Sequence, residues 1–125
     1  MDDQTVSLSD LQIDLMRVLW ARGSATAADV TDAVANERGL AHTTVATLLG
    51  RLEKRGVLQA SRDGRQVLYT PQVSEAQVRR SMVSGLLGSL FGGNARELVA
   101  HLVDSDELAP ADLDELQRLL KDTPR

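Results

Sequence analysis

The chain has 125 residues, 42% of them hydrophobic, enough for one standard domain or two small ones sharing a core. Trp20, Tyr69 and Phe91 are its only aromatic residues, so Leu, Val and Ala must fill the interior, which suits helices better than a sandwich of sheets. The absence of cysteine excludes disulfides, thiolate metal sites and cysteine nucleophiles, and a net charge of −4 excludes a uniformly basic surface while leaving room for a local basic patch.

The first predicted helix runs from Ser9 to about Ala21. Ser9 is a good N-cap, Gln12 completes a capping box, and Leu8 can staple onto Ile13. Leu11, Leu15, Val18 and Leu19 form one apolar face, and Ile13, Met16 and Trp20 a second, so the helix is expected between two layers. Gly23 ends it. A second helix should start at Thr26, with Asp29 as capping partner and Ala27, Val30 and Val34 inward; it frays near "NERG", and Gly39 allows a turn.

The third helix, about His42 to Arg55, lies within "GLAHTTVATLLGRLEKRGVL". Val45, Leu48, Leu49 and Leu52 make a clean apolar stripe. At about 100° per residue, Thr43, Thr47, Gly50 and Lys54 point away from it. Gly56 closes the helix. A hairpin follows, "VLQASR", "DG", "RQVLYT", with Asp63-Gly64 as a two-residue turn. That turn pairs Leu58 with Tyr69 and Ala60 with Val67 on one face, and Arg62 with Arg65 at the tip.

Pro71 ends this unit. Ser74 and Gln77 cap a fourth helix, "EAQVRRSMVSGLLGSLF", striped with Val78, Met82, Leu86 and Leu90. Gly92-Gly93 breaks it. Asn94 and Glu97 cap a fifth helix carrying Leu98, Val99, Leu102 and Val103, and a sixth after Pro110 carries Leu113, Leu116, Leu119 and Leu120. The expected fold is mainly α with a small β-hairpin wing: a winged helix-turn-helix over 1–72 and a helical dimerisation region over 73–125.

Three helices and a hairpin in this order present the outer face of the third helix to a DNA major groove. Its threonine hydroxyls can bond base edges and its methyl groups can touch thymine, while Gly50 lets the backbone approach closely. Residues 42 to 66 hold five cations against two carboxylates, a net of +3 that leaves −7 elsewhere. The expected DNA-binding residues are His42, Thr43, Thr44, Thr47 and Gly50, with Arg51, Lys54 and Arg55 on phosphates and Arg62 and Arg65 at the wing tip. The plainer reading is an amphipathic helix with a solvated face, in a winged-helix protein-interaction or antitoxin-like module with no specific DNA site.

"LSDLQIDLMRVLW", "HTTVATLLGRLEKRGVL" and "DGRQVLYTPQV" resemble the penicillinase-repressor and methicillin-resistance-repressor family, which also includes copper-responsive repressors. The resemblance covers about residues 7 to 121, and its most specific part is Thr44 to Gly56. It implies a cytoplasmic homodimeric repressor of β-lactam-resistance type genes, acting on dyad operators often built around TACA and TGTA. Two positions depart from the family pattern: Gln12 stands where an acid is usual, and Ala41 where a Ser cap is frequent. The copper-responsive members carry C-terminal cysteine pairs, which this chain lacks. In the penicillinase branch a membrane sensor-protease pathway ends in cleavage at an Asn-Phe bond; His101-Leu102 stands at that place here, a third departure from the family pattern.

Other features point to no chemistry. His42 and His101 have no second ligand at metal spacing. "DSDELAPADLDE" places Asp104, Asp106, Asp112 and Glu115 like calcium ligands, but Ala109 replaces the turn glycine, and the acids suit a helix N-terminus. No serine has a base partner and no phosphate loop exists, so neither enzyme activity nor a cofactor is expected. No apolar run is long enough for membrane insertion, and the polar, acidic "MDDQTVSLSD" is not a signal peptide. Three short helices after residue 73 make a poor core alone, so Val78, Met82, Leu86, Leu90, Leu98, Leu102, Leu113, Leu116 and Leu120 are expected in a shared dimer interface.

Overall fold

The structure, a computed structural model, describes residues 6–122, with side chains only as far as Leu119. The dimerisation candidate Leu120 therefore lies outside the described side chains. The elements in order are α1 (Asp10–Arg22), β1 (Ala25–Thr26), α2 (Ala27–Ala33), α3 (Ala35–Arg38), α4 (His42–Lys54), β2 (Leu58–Asp63), β3 (Gln66–Pro71), α5 (Glu75–Phe91), α6 (Ala95–Asp104) and α7 (Pro110–Asp122).

Local capping sets where most helices start. Ser9 and Gln12 form a reciprocal box at α1, and Thr26 and Asp29 another at α2. Ser74 and Gln77 do the same before α5, and Asn94 accepts from the Glu97 amide at α6. Asp112 accepts from the Ala109 amide at 2.9 Å, so one acid of the calcium-like stretch caps α7. Gly56, at φ +82°, ends α4: its amide donates to Glu53 O and the Val57 amide to Leu52 O. This paired arrangement needs a left-handed residue, and it seats Leu52 and Val57 together in the core.

The chain divides into two compact units, Met1–Met82 and Val83–Arg125. The core of the first joins Leu15, Met16 and Leu19 of α1, Val30 and Val34 around α2, and Val45, Leu49 and Leu52 of α4. Val57, Leu58, Ala25, Leu8 and Val78 complete it, and no aromatic ring is among its buried members. Trp20 lies at the edge, its Nε1 donating to Val73 O at 2.9 Å.

Several features depart from the sequence expectations. The sheet has three antiparallel strands in the order β1-β3-β2, because Ala25 and Thr26 pair with Tyr69 and Leu68. The hairpin register is shifted by two residues: Leu58 faces Pro71, Ala60 faces Tyr69, Arg62 faces Val67 and Asp63 faces Gln66. The turn is therefore Gly64-Arg65, with Gly64 at φ +65° in the first loop position. A shift of two keeps every side chain on its face, and it removes the like-charged Arg62–Arg65 pair that the expected register would have placed directly opposite. The helical run after α2 continues as a separate α3, with Val34 at the junction.

The division between units falls inside α5 rather than after residue 72. Val78 is 3% exposed in the first core, and Met82 packs against it. Both were expected at a dimer interface; here Val78 is buried within the chain and Met82 is half-buried against the same core. In the second unit, by contrast, none of residues 83–119 is buried. Val83, Leu86, Leu90, Val99, Val103 and Leu116 are exposed, with Leu90 at 69%. Leu98, Leu102 and Leu113 are half-buried, and Val99 and Val103 are the more exposed apolar residues of α6.

Candidate nucleic-acid interface

α4 is held by Val45, Leu49 and Leu52, all fully buried. That anchoring fixes what the opposite side presents. Thr43, Thr44, Thr47, Arg51 and Lys54 are exposed, as is His42 at the first turn. A Cβ built on Gly50 would meet nothing within 4 Å, so the helix backbone there faces open space. A shallow hollow is lined by Thr43, Thr44, Thr47, Leu48 and Arg51. Leu48 is half-buried: it packs against the core, as its spacing indicates, and its outer edge adds an apolar patch to this hollow. Its position, one turn after Thr44 and next to Thr47, was the available signal. Hydroxyls, methyl groups and one apolar side chain on a helix face match base edges and the thymine methyl.

The Thr47 hydroxyl donates to Thr43 O at 2.9 Å, which commits its hydrogen within the helix. Its oxygen lone pairs and methyl group remain available to a ligand. The N-terminus of α4 has Ala41 at the cap position and no side-chain cap bond, and no acid stands in its first turn. Its free amides and positive dipole end therefore suit an anion beside His42.

Among the described residues, Arg51, Lys54, Arg62 and Arg65 have no carboxylate partner; Arg17, Arg38, Arg79 and Arg118 are ion-paired, while Arg22, Arg80 and Arg96 elsewhere in the chain are not. Arg62 and Arg65 are exposed at the wing, Arg62 on β2 and Arg65 in the turn itself. Arg55 behaves differently: its Nη2 donates to Ser7 O at 2.9 Å, tying the end of α4 to the segment before α1. The structure thus brings His42, Thr43, Thr44, Thr47, Gly50, Arg51 and Lys54 together on one helix, leaves the wing arginines unpaired, and gives Arg55 an intramolecular role.

His101 and Leu102 lie within α6, where the His101 ring meets Phe91 edge-on at 6.2 Å between centroids. Among the described residues, no helix is long and apolar enough to cross a membrane.

The sequence pattern of the penicillinase repressor family matches residues 8–122. An uncharacterized 16.5 kDa protein from the ptsI 3′ region of Latilactobacillus sakei is 30% identical over 96% of this chain and 82% of its own length. The penicillinase repressor of Bacillus licheniformis is 25% identical over 92% of this chain and 90% of its own. The solution structure of monomeric Bacillus licheniformis BlaI in complex with the blaP half-operator matches with a TM-score of 0.51 at 29% identity, covering 58% of this chain and 89% of that one. The winged-helix fold and a match that runs from Leu8, before α1, to the end of α7 place the chain in the penicillinase repressor family.

Proposed function

We propose that the protein is a transcriptional repressor that binds a dyad operator as a homodimer. Each winged helix reads one half-site through the outer face of α4, and the second units pair. The observation that carries this reading is the face itself: threonines, an unfilled glycine and unpaired cations on a helix with no side-chain cap. The half-operator complex of a 29%-identical relative supports it over a protein-interaction or antitoxin-like module. On the same family reading the chain is a regulator without enzymatic activity and works in the cytoplasm. Its target genes are of the β-lactam-resistance type, and a membrane sensor-protease pathway acting on it would have to cleave a bond other than Asn-Phe, since His101-Leu102 stands there.

The division of labour on α4 is testable. Thr47→Ala should relax discrimination among operator variants by roughly 1–3 kcal/mol at one base pair per half-site. Lys54→Ala should instead lower affinity for operator and scrambled duplex together. The assay is competition at matched salt, after enrichment of a dyad duplex from a random-sequence pool. Equal losses on both duplexes for both variants would remove α4 as the reading helix.

The wing should act without sequence preference. Arg62→Ala combined with Arg65→Ala is expected to weaken binding to all duplexes alike. It should also flatten the dependence of log affinity on log salt by roughly 0.9 for each phosphate that the wing no longer neutralises. An unchanged salt slope would mean that the wing does not touch the backbone.

A further inference from the structure

Three consecutive residues ahead of α1 have three different anchors. The Val6 amide donates to Ser81 Oγ on α5 at 2.8 Å. Ser7 O accepts from Arg55, the residue that ends α4. Leu8 is 4% exposed and is seated in the core. The entry to α5 is tied as well, by Trp20 Nε1 on Val73 O, and Val78 is seated in the same core. Ser81 is the last of these ties before Met82, where the first unit ends.

We propose that Val6–Leu8 is a strap that fixes the direction of α5 relative to α4, making Ser81 a positioning residue for the spacing of the two operator half-sites; this rests on the operator reading above. α4 carries the residues that read bases, and α5 is the helix by which the chain leaves the winged-helix unit. In a two-fold dimer the separation of the two reading helices follows from how rigidly each is joined to the pairing region. A rigid junction favours one spacing, and a loosened junction tolerates several. Ser81 lies on α5, off the face of α4, so it should affect spacing without affecting the reading of a half-site.

The test uses the full chain. A dyad duplex is enriched from a random-sequence pool by the wild type, then remade with its spacer changed by one and two base pairs, and as a single half-site. Affinities are compared for wild type, Ser81→Ala, Ser81→Thr and Val6→Pro, the last removing the amide donor from the other side of the bond. The wild type should lose about tenfold for each one-base-pair change, since the half-sites then rotate out of register. Ser81→Ala and Val6→Pro should reduce that discrimination by about three- to tenfold, the worth of one hydrogen bond. Their half-site affinity should not change, and Ser81→Thr should match the wild type. If either replacement fails to fold, the other carries the test. Wild-type discrimination in the folded variants would overturn the strap alone. A wild type that enriches no dyad would overturn the operator reading and the strap together.

Discussion

Replacing Gly50 with leucine is expected to abolish operator-specific binding while the free protein melts no lower than the wild type. Glycine inside a helix costs about 0.8–1.0 kcal/mol relative to alanine. At position 50 nothing fills the space a side chain would take. Gly50→Ala should therefore stabilise the free chain by about 0.5–1 kcal/mol, and leucine, nearly as good a helix former, should not unfold it. A helix that keeps glycine on an open face, between Thr47 and Lys54, gives up stability for closeness of approach. A leucine there would hold the backbone of α4 off the groove floor. The expected loss is down to the level of random DNA, about a thousandfold or more. Thermal melting followed by circular dichroism and competition against scrambled duplex check both halves. Wild-type operator affinity in Gly50→Leu would mean that this face does not enter the groove.

Leu90→Asp combined with Leu116→Asp is expected to give a monomer and to lower operator affinity by about 10²–10⁴-fold, the advantage of binding two half-sites through one linked molecule. The second unit buries none of its described side chains, yet it exposes Val83, Leu86, Leu90, Val99, Val103 and Leu116. A unit of this size cannot make a sufficient core from its own surface. Its apolar residues are stabilised only when another surface covers them, and on the proposed reading that surface is a second copy of the chain. Leu90 and Leu116 are both exposed in the single chain, so aspartate there should leave the first unit folded. Sedimentation checks the oligomeric state, and a half-site duplex checks that each winged helix still reads its bases. A dimeric double variant would place the interface elsewhere.

What could be read from the sequence was local or periodic. The Ser9–Gln12, Thr26–Asp29 and Ser74–Gln77 boxes each lie within one helical turn, so their chemistry is visible in four residues. The stripe of Val45, Leu49 and Leu52 is strict enough that the outer face of α4 followed from it. The remaining features depend on distant neighbours. β1 is only two residues long, and its pairing with β3 is decided by neighbours that no alternation pattern can reveal. The hairpin register turned on a like-charge pair at the tip rather than on the Asp63-Gly64 signal. Val78 and Met82 continue the apolar stripe of α5 without a break, and periodicity cannot tell a stripe that meets the chain's own core from one that meets a second copy. In sequence Arg55 is a basic residue following the outer face of α4, which suits phosphate; its intramolecular bond is not visible there. Its bond to Ser7 spans 48 residues, and that of Val6 to Ser81 spans 75.

In the proposed mode of binding, two α4 helices, paired through the second units, read two related half-sites. Footprinting of the wild-type full chain on the promoters of its own gene and its neighbours tests it most directly. The expected result is protection of two half-sites related by a dyad, with centres about 10–10.5 base pairs apart or at a multiple of that spacing. Protection should appear at concentrations that leave scrambled duplex untouched. Weak protection spread evenly over every duplex would contradict the claim.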